Sequence, residues 1–420
     1  MTPDVRARHL LSAVLVIASA ISSGAQDAPF VLPAPTGTHA VGTTTWRLTD
    51  DSRPETFSAV GGVRQVEVLA WYPSDGPREA ARAPYLREGL AEVRAFARGF
   101  GDENAFDSLA GVQTHARLDA SVVPTPQKLP VLVFSHGYTG IPSAYTALLE
   151  DLASHGYAVL SIVHPYEASA ATLVDGRVVT MLDDTGRPSA PLAEVFAEWR
   201  VEDETMAAVT RATRAEEQER LLRGYLSRIP RTDAALRRWV DDTKLVLDRL
   251  PSLERESAAG RLAARLDLGR VGVFGHSMGG VAAAQFCVED SRCRAGLNLD
   301  GIPQYGTMID ARTGRPFLMV YSARPGRLGA SDSIYRRAAQ PYFRVDVPGT
   351  KHLDFCDMAF WGGPLRERRI LGDIDPVRAT TITRTIVRQY FDQELLRRGG
   401  ALRTAMKAYP DVTVTKPAGR

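Results

Sequence analysis

Cysteine is scarce in this chain: 420 residues contain three. So few thiols exclude a small fold held together by disulfides, and no Cys/His cluster has zinc-ligand spacing. No Asp-rich loop carries a calcium pattern either, so neither a metal nor another cofactor is expected. An excess of one charge is also missing. Fifty-one basic side chains against 49 acidic ones leave a net +2, without the basic footprint that nucleic-acid binding needs. Collagen-like periods, low-complexity blocks and internal repeats are absent, the 35 Gly and 26 Pro being scattered. With 44% hydrophobic and 24% charged residues, most of the length is expected to bury a sizeable core, and bulk disorder is excluded. No run approaches the roughly 20 apolar residues that span a bilayer.

The most apolar run lies at the start. Arg6, Arg8 and His9 precede Leu10 to Ile21, and Ser23-Gly24-Ala25 offers small residues for cleavage before Gln26. This is the pattern of a signal peptide over 1–25, and it predicts a secreted or periplasmic protein without stable membrane insertion. The alternative is an uncut N-terminal anchor; with no Cys at the cleavage point, a lipoprotein is not expected. In an oxidising compartment Cys287 and Cys293, on either side of a predicted helix end, are expected to form a local disulfide. Cys356 is then unpaired and reads as a packed thiol, not a nucleophile.

Along the mature chain, Arg64 to Tyr72 reads as a strand stopped by the turn cluster Pro73-Ser74-Asp75-Gly76. Short apolar runs follow at Pro130 to Ser135, Tyr157 to Val163, Val271 to Phe274, Ala295 to Leu299, Phe317 to Ser322 and Tyr342 to Val347. Strands that are apolar nearly throughout are buried on both faces, which implies a mostly parallel sheet with helices on either side. Helices are predicted from about Ser143 to Ser154, stopped at Gly156, and from about Arg378 to Arg398. Asp175-Gly176 between two β-branched runs predicts a hairpin with a type I′ turn. From about Pro191 to Arg265 the chain is charged and helical in period. It reads as an insertion with a solvated face, or part of a cap, within one domain over 26–420.

The strand Val271 to Phe274 runs into Gly275-His276-Ser277-Met278-Gly279-Gly280 and then into Val281-Ala282-Ala283-Ala284. This is a G-x-S-x-G nucleophile elbow in the strand, turn and helix context that the motif requires. A serine hydroxyl attacks only when a base takes its proton and an acid orients that base. Of eight histidines, His352 alone follows Ser277, in a loop after the strand Tyr342 to Val347. Asp300, at the end of the strand after the elbow helix, is the expected acid. Asp332 lies beyond the next strand, Asp346 lies within one, and Asp354 and Asp357 are too near His352 in sequence. The order serine, acid, histidine is that of the α/β-hydrolase fold. Backbone N–H groups of Met278 and of Tyr138, in the loop Ser135-His136-Gly137-Tyr138, are the expected oxyanion donors. His136 and His164 read as structural.

These segments resemble the platelet-activating factor acetylhydrolase family, in its plasma and intracellular type II form, and bacterial relatives labelled dienelactone-hydrolase-like. The resemblance rests on Val133-Phe134-Ser135-His136-Gly137, Asp151 to Tyr157, Gly275 to Gly280, Asn298-Leu299-Asp300, Gly349 to His352 with Asp354-Phe355, and Gly372 to Asp375. With Trp71-Tyr72-Pro73 they span roughly residues 65 to 400. It implies an α/β-hydrolase fold without a metal, a Ser277, Asp300 and His352 triad with Tyr138 and Met278 as oxyanion donors, and short-acyl esters as substrates. The substrate is then a small-molecule ester or a phospholipid acetylated at sn-2. Esters of xenobiotics or polymers are the second enzymatic reading, and a non-catalytic binding protein on the same fold is the reading from another class. The charge-rich insertion departs from what a lipid-facing cover needs. Phe360 and Trp361, with Tyr138 and Met278, are candidates to line an acyl pocket.

Overall fold

The computed structural model describes residues 30–76, 80–183, 185–302, 307–339 and 341–415. The expected signal peptide, 1–25, lies outside them. Strands occupy Ala40–Pro54 (β1), Val63–Ser74 (β2), Arg82–Pro84 (β3), Gln113–Leu118 (β4), Leu129–Ser135 (β5) and Ala158–Val163 (β6). They continue with Ala170–Thr172 (β7), Val178–Thr180 (β8), Leu266–His276 (β9), Cys293–Leu299 (β10), Phe317–Ser322 (β11), Tyr342–Val347 (β12) and Thr413–Thr415 (β13). Eleven of them form one sheet in the order β13-β12-β11-β10-β9-β5-β6-β2-β1-β4-β3. From β12 to β6 all neighbours are parallel, whereas β2 joins β6, and β1 joins β2, antiparallel.

The apolar runs dictate this arrangement. Every residue of β5, β6 and β11 is buried, and the period-2 alternation of the strand sends successive side chains to opposite faces. Val131 and Val133 therefore enter one core and Leu132 and Phe134 the other. The helices Leu90–Arg98 (α1) and Thr146–Ser154 (α2) precede the charged stretch. That stretch folds as Ala190–Glu198 (α3), Glu202–Arg211 (α4), Ala215–Leu226 (α5), Pro230–Arg249 (α6) and Ala258–Ala263 (α7). Met278–Glu289 (α8), Asp332–Ala338 (α9), Gly363–Glu367 (α10), Pro376–Leu395 (α11) and Ala401–Met406 (α12) complete the set. Side chains from α3 to α9 fill the first core, and those of α1, α2 and α10 to α12 the second.

The charged stretch is amphipathic, not solvated throughout. On α6, Leu236, Trp239, Val240 and Val246 are buried at helical spacing, while Arg237 and Asp233 pair across one turn on the outside at 2.8 Å. Its charges also reach inward. Asp242 meets the fully buried Arg64 of β2 at 2.6 Å, and Arg64 also holds Glu55 at 2.7 Å.

Two further expectations need correction. The hairpin turn between β7 and β8 is not type I′, because Gly176 (φ 84°) has a positive φ and Asp175 does not. Leu173 and Arg177 close a three-residue loop instead, with Gly176 N–H bonded to the Leu173 carbonyl at 2.9 Å, the form built on a type I turn. The last long helix starts earlier, at Pro376, because Asp375 caps it through the Arg378 N–H at 2.9 Å and proline suits the first turn. The chain also continues beyond that helix into α12 and β13, and β13 adds to β12 antiparallel.

Cys287 and Cys293 are disulfide-bonded, with Cα atoms 5.0 Å apart. Cys356 is buried and free.

Candidate active site

Strand β9 delivers Ser277 to the sheet's carboxyl edge, and α8 begins at the next residue. The chain can turn this sharply only with Ser277 in a strained conformation, φ 55° and ψ −125°, a region that costs a non-glycine residue about 1–3 kcal/mol. Glycines make room for it. A Cβ on Gly275 would lie 2.3 Å from the Gly279 carbonyl carbon, and one on Gly279 would lie 2.1 Å from the Ser135 carbonyl oxygen. Strand, helix and the loop after β5 therefore meet backbone to backbone.

Asp300 follows β10 at φ 56°. Its Oδ1 accepts from the Ser322 N–H at 2.8 Å, and its Oδ2 accepts from His352 Nδ1 at 2.7 Å. The Arg324 guanidinium also reaches Oδ2, at 2.8 Å. Burial pushes this carboxyl up, but Arg324, His352 and the Ser322 N–H outweigh it and hold Asp300 far below the usual carboxylate range. His352 sits in the loop after β12. Burial and the Arg324 cation push its imidazole below the usual value, against the pull of Asp300.

The elbow abuts both partners. Ser277 N–H donates to the Leu299 carbonyl at 2.8 Å, directly before Asp300. His276, directly before Ser277, lies with its ring 4.4 Å from the ring of His352, and its Nε2 is 2.9 Å from the His352 carbonyl. A carbonyl only accepts, so Nε2 carries the proton and Nδ1 is left as acceptor. The Tyr145 hydroxyl, 2.9 Å away, donates its O–H to Nδ1 while accepting from the Gly137 N–H at 3.1 Å. One buried relay thus ties the loop after β5 to the loop carrying His352.

That loop comes close to the serine: a Cβ on Gly137 would lie 3.4 Å from Ser277 Cβ. Among the described residues, the N–H groups of Tyr138 and Met278 have no hydrogen-bond acceptor. Behind the loop lie His136 and His164. His136 Nδ1 donates to the Gly137 carbonyl at 2.7 Å, and His164 Nδ1 donates to Asp242 at 2.8 Å. Trp239 stacks on His164 with ring centroids 3.9 Å apart. Burial pushes His136 down to about 3 and His164 down to about 4.

Both imidazoles bind protons near pH 6.5 once unfolded, but not in the fold until the pH is far lower. The unfolded chain therefore takes up more protons across that interval, and their contribution to stability falls as pH drops from about 6.5 towards 4. Replacing His136 by Gln is expected to give a melting temperature that declines less steeply with acid than that of the wild type, measured by scanning calorimetry.

Phe360 and Trp361 lie elsewhere. The Phe360 ring stacks on Phe30 at 5.5 Å, and the Trp361 ring packs on Phe106 at 5.5 Å and on Tyr85 at 6.5 Å. Trp361 belongs to the second core, whereas Tyr138 and Met278 belong to the first, across the sheet. Tyr138 instead packs on Trp199 and Trp239, with centroids 5.4 and 5.7 Å away.

Arg324, Ser322 and Tyr145 went unnoticed in the sequence, since none falls in a motif; the end of β11 brings in Ser322 and Arg324, and the segment leading into α2 brings in Tyr145. Among the described residues no cluster of three or more His, Cys, Asp or Glu side chains is arranged to hold a metal.

Sheet order, elbow and helical layers define an α/β-hydrolase. A solved structure described as a ferulic acid esterase from Streptomyces cinnamoneus superimposes with a TM-score of 0.68 at 28% identity, covering 93% of this chain and 100% of its own. The sequence matches the family described as platelet-activating factor acetylhydrolase, isoform II, over residues 25–398, and the chain belongs to that family. A platelet-activating factor acetylhydrolase of Gallus gallus is 23% identical, over 87% of this chain and 84% of its own length. A probable 1-alkyl-2-acetylglycerophosphocholine esterase of Arthroderma benhamiae is 22% identical, over 94% and 96% respectively. The chain is a carboxylic ester hydrolase.

Proposed function

We propose that this hydrolase is an exported serine esterase for short-acyl esters. Ser277 attacks the carbonyl, His352 takes its proton and passes it to the leaving alcohol, and Asp300 holds the imidazole in the reactive tautomer. The N–H groups of Tyr138 and Met278 receive the oxyanion, and water then releases the acyl group from Ser277. The observation that carries this reading is the 2.7 Å bond from His352 Nδ1 to Asp300, because it leaves Nε2 as the free basic nitrogen. The strained Ser277 and the unclaimed N–H groups beside it support the same roles.

The acetylhydrolase relatives favour acetyl esters, including a phospholipid acetylated at sn-2. The ferulic acid esterase favours a second reading, in which the acyl group is a larger aryl acid. Export is supported by the basic and apolar pattern over 1–25 and by the disulfide between Cys287 and Cys293. Among the described residues no helix is long and apolar enough to cross a membrane.

A panel of nitrophenyl esters of rising chain length, with an acetylated phospholipid and a feruloyl ester beside it, separates the readings by kcat/KM. The short-acyl reading expects a steep fall beyond about four carbons, since each methylene that finds no room forfeits or reverses about 0.8 kcal/mol of burial. A preference for long chains or for the feruloyl ester would replace it.

A further inference from the structure

The acid of a serine triad needs its charge to stabilise the imidazolium that forms when the serine loses its proton. A cation placed on that acid works against this, yet Arg324 is bonded to it. Its Nη2 lies 2.8 Å from Asp300 Oδ2 and 3.3 Å from the Asp300 carbonyl oxygen. Its Nε donates to the Ser322 hydroxyl at 3.3 Å, and the Ser322 N–H holds the other carboxylate oxygen at 2.8 Å. Side chain and backbone of Asp300 are therefore gripped together, and His352 and the guanidinium share one oxygen.

We propose that Arg324 is a positioning residue of the triad, a fixed cation that clamps Asp300 and restrains His352 from taking up a proton from solvent. The proposal rests on the roles given above to Ser277, His352 and Asp300. Its consequence is acid tolerance. The base works only while neutral, so a cation that disfavours the imidazolium keeps the enzyme active further into acid, and part of the catalytic advantage of the Asp300 charge is given up in exchange.

The other charges around His352 leave this role to Arg324. Asp300, after β10, pulls the imidazole the opposite way. His276, at the end of β9, faces the ring but is held neutral by its burial, with Nδ1 occupied as an acceptor for the Tyr145 hydroxyl. Arg327, further along the loop after β11, adds to the effect of Arg324, but its charge is countered by Glu202 at 2.7 Å and by Asp203, both on α4. On the loop of His352 itself, Lys351 turns its ammonium to the Arg369 carbonyl. Asp354 accepts from the Lys351 and Gly372 N–H groups at 2.7 and 2.6 Å.

The test is the pH profile of kcat/KM from about pH 4 to 9, which reports the base of the free enzyme, for the wild type, Arg324→Gln and Arg324→Lys. Removing a cation within a few ångströms of the pair is expected to move the acidic limb of Arg324→Gln up by about one pH unit, so that activity on that limb falls about tenfold. Arg324→Lys keeps the charge and is expected to leave the limb in place. A Gln variant whose kcat/KM falls by one factor at every pH, with its limb unmoved, would reduce Arg324 to a structural brace and overturn the proposal. So would a Lys variant whose limb moves as far as that of Gln. Should Arg324→Gln fail to fold, NMR titration of His352 in Arg324→Met beside the wild type decides: a higher midpoint in the variant is expected, and an equal or lower one refutes the proposal. An unmoved limb in an enzyme that still needs Ser277 would leave the triad intact, whereas an active Ser277→Ala variant would remove the triad itself.

Discussion

Replacing Ser277 by Ala is expected to lower kcat by about 10⁶-fold, the scale on which a triad nucleophile is lost. Asp300→Asn, which barely alters volume, is expected to lower it by about 10⁴-fold. The second figure is the more demanding, because its cause is directional. In the wild type Oδ2 accepts from both His352 Nδ1 and Arg324, while Oδ1 accepts from the Ser322 N–H. An amide cannot satisfy all three donors. If its oxygen stays on Ser322, its NH₂ faces a ring nitrogen and a guanidinium; His352 then turns to the other tautomer, with the proton on the nitrogen that must act as base. The substrate is still bound, so the loss is expected in kcat, with KM changed by no more than a few-fold. Steady-state kinetics on nitrophenyl acetate measures it, and a loss below about 100-fold would show that Asp300 does not orient the base.

The second large effect is expected at Gly279. A methyl group there would press on two carbonyl oxygens, that of Ser135 at 2.1 Å and that of His136 at 2.5 Å. Both are backbone, so no rotamer change relieves the overlap. The loop carrying Tyr138 has to retreat from the elbow. Gly279→Ala is therefore expected to cost about 1–3 kcal/mol of stability, as overpacking does, and to lower kcat by about 10²- to 10³-fold through displaced oxyanion donors. Gly224 is the control. It lies exposed on α5, a Cβ there would meet nothing within 4 Å, and Ala at that position is expected to be neutral or to stabilise by up to about 1 kcal/mol. Equal effects at the two glycines, by calorimetry and by kcat, would contradict the packing argument.

The parallel half of the sheet was readable because β5, β6 and β11 are buried on both faces, and β9 and β10 become so towards their ends, which leaves little else for their sequences to do. β1 was not, although it is the longest strand at 15 residues. Its run Thr43-Thr44-Thr45 is β-branched yet polar, and it gains its place through pairing with β2, a long-range contact that no local pattern announces. The same holds for β13, three residues long. The apolar positions of α6 could be read from their helical period, but not that Asp242 sits in a buried ion cluster with Arg64. Ser277, Asp300 and His352 could be nominated from order and position along the chain. Arg324 and Tyr145 could not, because their relevance exists only once β11 and α2 are folded against the elbow. Sequence position alone did not announce the partners of Phe360 and Trp361, whose rings pack on Phe30, Tyr85 and Phe106.

The most direct measurement is the site of covalent modification by a fluorophosphonate, a reagent that reacts with an activated serine. Peptide mass spectrometry of the inactivated wild type is expected to find one adduct, on Ser277, formed in step with loss of esterase activity, and neither His352→Ala nor Ser277→Ala is expected to label at a comparable rate. An adduct on another residue, or labelling that proceeds unchanged without His352, would contradict the assignment of nucleophile and base.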